Sequence, residues 1–233
     1  MRRKVLIIIP AYNEAGNIVN VVSQITRSCP KCDYVVINDG STDGTADVCN
    51  REKFNMIDLP VNIGLAGAVQ AGMKYAFLMG YDYAMQFDGD GQHDTGYIST
   101  LIDHVSDKGT MLDVVIGSRY LSKKKPFTPR MIGSRVIGIC IKLTSGKTIK
   151  DPTSGMRLYS KRVIERFATE MNFEPEPDTI AFLVRCGYRV GEVQVTMNER
   201  VSGESYLDFA GSIKYMMRMC ASILVAQWFR WKG

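Results

Sequence analysis

The sequence predicts an α/β domain organised on a mostly parallel sheet. Three observations predict it: short β-branched runs, helical stretches that alternate with them, and polar, turn-rich loops directly after the runs.

Residues 5–9, Val-Leu-Ile-Ile-Ile, form an unbroken apolar run closed by Pro10, the pattern of a central strand covered on both faces. Five residues fall short of the roughly 7–15 in a signal-peptide core, so the basic lead-in Met1-Arg2-Arg3-Lys4 introduces a strand, not an export signal. A helix is expected over 15–25. Residues 33–37 form a second strand that runs into Asn38-Asp39-Gly40-Ser41-Thr42-Asp43-Gly44, whose Ser, Thr and Asp side chains suit a helix cap. A short third strand at 56–59 precedes a helix over 66–79, rich in alanine and apolar at helical spacing. Residues 83–87 lead into Asp88-Gly89-Asp90-Gly91, and residues 113–116 into Gly117-Ser118-Arg119. Lys123-Lys124-Lys125-Pro126 reads as an exposed, mobile loop. Ligands of such sheets bind beyond the carboxyl ends of the strands, so segments 10–14, 39–43 and 88–94 are expected to meet at one edge.

A chain of 233 residues buries the core of one such domain and is short for two. No repeat or boundary appears before about residue 205, which divides the chain into a catalytic domain over 1–210 and a C-terminal helix over 211–233. With 45% hydrophobic and 23% charged residues, disorder is excluded. The formal charge of +5 favours phosphorylated ligands or an anionic membrane, without the basic density of a nucleic-acid binder. Among six cysteines only Cys29 and Cys32 stand close, no second pair follows, and His93 and His104 are distant. Reduced thiols of a cytoplasmic protein are therefore expected.

Asp88 and Asp90 place two carboxylates around Gly89 at a strand end, with Gln92 and His93 close behind. Oxygen ligands of this kind suit Mg2+ or Mn2+ and leave coordination positions for substrate phosphates. On its own, Asp-x-Asp is also a common solvated turn.

The motif does not stand alone. Pro-Ala-Tyr-Asn-Glu after the first strand, Asn-Asp-Gly-Ser-Thr-Asp-Gly-Thr after the second and Asp-Gly-Asp-Gly-Gln-His after the fourth resemble the family 2 glycosyltransferases in order and spacing. The resemblance continues through Gly117-Ser118-Arg119-Tyr120, Asp151-Pro152-Thr153-Ser154-Gly155-Met156-Arg157 and Arg200-Val201-Ser202-Gly203-Glu204-Ser205, and covers residues 4–210. It is nearest to the dolichol-phosphate mannosyltransferase and polyprenyl-phosphate glycosyltransferase branch. It implies an A-type glycosyltransferase fold, Rossmann-like with helices on both faces, and inverting, metal-dependent transfer from a UDP- or GDP-sugar.

The resemblance also assigns residues. Pro10, Ala11, Tyr12 and Glu14 match the lining of the base and ribose pocket, and Asp39 matches a base contact. Asp88, Gly89, Asp90 and Gln92 match the surroundings of the metal and donor diphosphate, with Asp90 and Gln92 as metal ligands and Asp88 bridging donor and metal. Arg119, Arg157, Arg200 and Ser205 match phosphate contacts. Asn38 stands where many members carry a first aspartate, and His93-Asp94-Thr95 replaces a common His-Pro-Pro.

Two acceptor classes follow. A hydroxyl acceptor needs a carboxylate base, for which Glu176 and Asp178 are the candidates; the same Glu-Pro-Glu-Pro-Asp cluster also has the composition of a helix start. An undecaprenyl or dolichyl phosphate is already ionised and needs none, and Lys123 to Lys125 with Arg130 would gather it. The stretch 213–231 is apolar with Lys214, Arg218 and Arg230 among it, yet its longest uncharged run, 219–229, is well below the ~20 residues of a span. Trp228 and Trp231 with basic neighbours suit a helix lying in a bilayer interface; a core or oligomer helix is the other reading. The expected location is peripheral on the cytoplasmic membrane face, with a small membrane protein or a second copy as further partners. Competing functions are a polysaccharide-extending transferase, a sugar-phosphate nucleotidyltransferase and a non-catalytic nucleotide-sugar binding module. The nucleotidyltransferase would open with a glycine- and arginine-rich loop where this chain has Pro-Ala-Tyr-Asn-Glu.

Overall fold

The computed structural model describes residues 3–87, 94–105, 111–170, 174–196, 209–225 and 229. Seven strands form one sheet in the order β3-β2-β1-β4-β6-β5-β7. The first half is the expected alternation: β1 Val5–Ala11, α1 Ile18–Ser28, β2 Asp33–Asp39, α2 Thr45–Arg51, β3 Met56–Leu59, α3 Gly64–Leu78 and β4 Tyr83–Gln86. These four strands run parallel, with Ile8 opposite both Val35 and Gln86.

The second half departs from strict alternation. After α4 Tyr97–His104, β5 Val114–Ser118 and α5 Pro129–Ser145, strand β6 Arg157–Ser160 inserts antiparallel between β4 and β5. Helices α6 Lys161–Thr169 and α7 Pro177–Arg185 follow, then β7 Val190–Gln194 beside β5, and α8 Phe209–Leu224. The sheet remains mostly parallel.

The period-two alternation of β1 separates the two cores. Leu6 and Ile8 join a cluster with α3, α5, α6, α7 and α8, while Val5, Ile7 and Ile9 join one with α1, α2 and α4. Both faces of the strand are buried, which explains its uninterrupted apolar sequence. Gly72 lets α3 approach β1: a Cβ there would lie 2.4 Å from Ile8 Cγ2.

One expectation changes. Cys29 and Cys32, expected as reduced thiols, are joined in a disulfide at the end of α1. The C-terminal helix packs on α5 and α7, and its Met219 and Ile223 are buried in the α3-side core. Trp228 and Trp231 lie outside the described residues.

Candidate active site

The loops after β1 and β2 lock together at the carboxyl edge of the sheet. Asn13, with φ of 57°, donates its amide to Ser41 Oγ at 3.0 Å and accepts from the Thr42 amide at 2.9 Å. The Glu14 amide donates to Thr45 Oγ1 at 2.9 Å, and the Ala15 amide to Asp43 Oδ2 at 3.0 Å. Asp43 Oδ1 accepts from the Thr45 amide and hydroxyl. Burial pushes the Asp43 pKa up, but the hydrogen bonds from Thr45 and Ala15 outweigh it and hold it below the ordinary aspartate value.

This interlock presents Tyr12, half-exposed, beside buried Ala11 and partly buried Pro10. Asp39 is buried at the end of β2, where its Oδ1 accepts from the Ile63 amide at 2.8 Å. Gly40 is required at this crossing. Its φ is +65°, and a Cβ would stand 2.5 Å from the Asn62 main-chain nitrogen. The departure at Asn38 also has a local reason: its Nδ2 donates to Asp58 Oδ1 at 2.6 Å, and an aspartate there would face a second carboxylate.

The segment 88–93, with Asp88, Gly89, Asp90 and Gln92, lies outside the described residues. Its two ends are placed. The Phe87 amide donates to Ile8 O at 2.9 Å, so the chain leaves β4 at the same edge as the Tyr12 loop. On the return side Thr95 Oγ1 shares a 2.6 Å hydrogen bond with Ser28 Oγ at the end of α1. Among the described residues no three His, Cys, Asp or Glu side chains are grouped so that they could hold a metal ion. The hard oxygen donors of Asp88, Asp90 and Gln92 fit Mg2+ or Mn2+.

Arg119 follows β5 and is gripped by Asp151. Its amide and Nε both reach Asp151 Oδ2, at 3.0 and 2.8 Å, and its Nη2 reaches Oδ1 at 2.9 Å. Burial lowers the Arg119 pKa, but the hydrogen bond and charge of Asp151 more than reverse it. Glu192 of β7 anchors the turn from below, accepting from the Lys150 and Asp151 amides. The Tyr120 ring has Arg119 on it at 5.3 Å and Lys125 at 5.6 Å. Lys125 thus departs from the exposed loop expected of the lysine run: it is half-buried, donates to Ser134 Oγ at 2.9 Å, and burial lowers its pKa.

Arg157 is placed differently from a group open to phosphate. Only 2% exposed, it donates Nε to Ser154 O at 2.8 Å, Nη2 to Pro152 O at 2.8 Å and Nη1 to Glu176 O at 3.2 Å. In this arrangement it braces the 152–154 turn against the start of α7. Arg200 and Ser205 lie outside the described residues, as does the side chain of Arg130 in the first turn of α5.

Glu176 stands at the N-cap position of α7, without a side-chain capping bond, and Asp178 occupies the first turn, the helix-start arrangement that the prolines suggested. Both carboxylates are engaged by α8. Tyr215 donates to Glu176 Oε2, Arg218 lies 3.7 Å from Glu176, and Ser222 donates to Asp178 Oδ2 at 2.6 Å. Burial raises the Glu176 pKa above the ordinary glutamate value despite Tyr215, Arg157 and Arg218.

Arg119 is legible in the sequence as a candidate phosphate contact, whereas its partner Asp151, 32 residues on in another motif, is not. Glu192 and Tyr215 carried no local signal, because each acts on a residue about 40 positions away.

A family model described as glycosyl transferase family 2 matches residues 6–167. Polyprenol monophosphomannose synthase of Mycolicibacterium smegmatis is 28% identical over 97% of this chain and 87% of its own. Undecaprenyl-phosphate mannosyltransferase of Micrococcus luteus is 30% identical over 87% of this chain and 86% of its own. Among solved structures, glucosyl-3-phosphoglycerate synthase of Mycobacterium tuberculosis, in complex with Mn2+, UDP-glucose and phosphoglyceric acid, has the same fold. Its TM-score is 0.69 at 15% identity, covering 95% of this chain and 80% of that one.

Proposed function

This chain belongs to glycosyl transferase family 2, and from that premise we propose that it transfers a sugar, with inversion, from a nucleoside-diphosphate donor to a polyprenyl phosphate. One observation carries the site: the Tyr12 and Asp39 loops, the exit of β4 toward Asp88, and Arg119 all stand at the carboxyl ends of the strands. The names of the two relatives support the acceptor.

Tyr12 and Asp39 bind the nucleoside, with Pro10, Ala11 and Glu14 shaping the wall behind them. Asp90 and Gln92 would hold Mg2+ or Mn2+, with Asp88 between donor and metal, and the ion would supply positive charge against the leaving diphosphate. Arg119, fixed by Asp151, adds preorganised charge at the same edge, and the motif of Arg200 and Ser205 supplies two further candidate phosphate contacts. The acceptor phosphate oxygen attacks the anomeric carbon opposite the diphosphate, the glycosidic C–O bond breaks, and its electron pair leaves with the nucleotide. No proton has to be removed. Glu176 and Asp178, already hydrogen-bonded to α8, are then structural acids, which favours the phosphate over a hydroxyl acceptor.

Catalysis belongs to residues 1–210, held on the cytoplasmic membrane face through the C-terminal segment. Among the described residues no helix is long and apolar enough to cross a membrane. The test is a panel of labelled UDP- and GDP-sugars with polyprenyl phosphate in detergent, with and without Mn2+. Organic-extractable product of inverted configuration supports the proposal; label transferred only to soluble hydroxyl acceptors overturns it.

A further inference from the structure

The edge of the sheet opposite the candidate active site holds a cavity of about 700 Å³. Lys4, Asp82, Asp113 and Ser160 line it, so it lies where β1, β4 and β5 begin and β6 ends. Asp113 and Arg119 flank β5 at its two ends, which puts the cavity about 20 Å from Arg119 at the rise of an extended strand. None of the residues lining it belongs to the donor, metal or acceptor set described above.

The cavity joins two groups of cations across an apolar lining. Arg3 and Lys4 come from the lead-in to β1; Lys161 and Arg162 come from the first turn of α6, and Arg189 from the residue before β7. Tyr83 sits between the groups. Its amide donates to Lys4 O at 3.1 Å, and across the ladder it stands opposite Ser160 of β6. Arg3 lies over the Tyr83 ring at 5.9 Å, and Met111 and Leu112 extend the apolar lining.

Both acids of the cavity are already engaged. Asp82 Oδ2 accepts from the Lys4 amide at 2.9 Å. Buried Asp113 accepts from the Arg189 amide at 2.8 Å, from Arg162 Nη1 at 3.2 Å and from the Ser160 hydroxyl at 3.3 Å. Five cations against two acids leave three positive charges in excess. The start of α6 has no side-chain cap, so the positive end of that helix adds to the same field, and a cleft lined mainly by one sign concentrates it. A multiply charged anion answers the cations, and a flat or apolar body answers Tyr83, Met111 and Leu112. Inorganic phosphate alone would answer the cations and leave the apolar lining unmatched.

We propose that this cavity is a second ligand site, for a small organic phosphate with an apolar or aromatic body. The excess of three positive charges suits the dianion of a phosphate monoester better than the single charge of a carboxylate. The volume lies within the ~300–1,000 Å³ of small-molecule sites. The site stands at the far ends of the strands from the Tyr12, Asp39 and Arg119 loops, so its ligand binds alongside the donor and does not compete with it. The proposal goes beyond sugar transfer and does not depend on which acceptor is used.

The test is isothermal titration of the full chain, at low salt, with naphthyl phosphate, a phosphate monoester on an aromatic body. One molecule should bind per chain, with the same affinity when Mn2+ and saturating UDP or GDP are present. Naphthol and inorganic phosphate should each bind more weakly by about tenfold or more. Lys161→Glu and Arg189→Glu should each weaken naphthyl phosphate by about tenfold, whereas Lys74→Glu, the same charge change on α3 away from the cavity, should not. All three positions are exposed, and unchanged thermal midpoints confirm that each variant folds. Absence of saturable binding, or binding that Lys161→Glu and Arg189→Glu leave intact, overturns the site. Loss of the probe to UDP or GDP overturns it as well, since the probe then occupies the donor pocket. Inorganic phosphate that binds as tightly as naphthyl phosphate means an adventitious ion only, and overturns the assignment to an organic phosphate.

Discussion

Asp151, fully buried, receives the guanidinium of Arg119 on both carboxylate oxygens and the Arg119 amide as well. A cation on a strand-end loop is thereby fixed before any substrate arrives, and the anion that fixes it is out of reach of solvent. Removing one partner of such a pair leaves the other uncompensated. Asp151→Ala is expected to cost about 3 kcal/mol in urea unfolding and to lower kcat/KM more than Asp151→Asn, which keeps an acceptor. Equal stability of all three proteins would mean that the pair is not formed in solution.

Arg157 gives a contrasting case. Its three hydrogen bonds end on main-chain carbonyls, and truncation strands all three acceptors in a buried setting. Arg157→Ala should destabilise by about 3 kcal/mol or more, visible as a large fall in melting temperature. A variant with normal melting temperature and lost transfer would instead return Arg157 to the phosphate-binding role that its motif implied.

Gly40 couples the loop after β2 to the segment that leads into α3. Gly40→Ala adds a methyl against the Asn62 nitrogen in a left-handed conformation, so a loss of about 2 kcal/mol or more is expected. Because Asp39 is next in the chain, KM for the donor should rise in the same variant. An unchanged KM would separate Asp39 from donor binding.

The proposed metal site predicts a different profile. Asp90→Ala should abolish transfer while leaving the melting temperature unchanged, and excess chelator should do the same to wild type until Mn2+ is restored. Full turnover in chelator would sink the metal proposal.

The legibility of the sequence follows the range of each interaction. β1 was readable because both of its faces are buried, which writes the burial into five consecutive residues. The Asn13, Ser41 and Asp43 interlock was half readable: the turn residues were evident, their cross-loop bonding was not. β6 was missed because a four-residue antiparallel strand, headed by an arginine, has neither the length nor the apolar run of its neighbours. The clasp of α8 on α7 could not be read at all, since it joins Tyr215 to Glu176 through tertiary packing alone.

That clasp makes the last prediction. Burial raises the Glu176 pKa, so the folded protein holds this proton more tightly than the unfolded chain does. The resulting stabilisation is complete below the ordinary glutamate value and is lost as pH rises through the folded value. Glu176→Gln, neutral throughout, should be insensitive to pH in that window and more stable than wild type above it. Tyr215 donates to the ionised carboxylate and opposes the shift, so Tyr215→Phe should extend the window to higher pH. Urea unfolding of the three proteins between about pH 4 and about pH 8 reads this directly. If wild type and Glu176→Gln show the same slope, the Glu176 proton is not linked to folding.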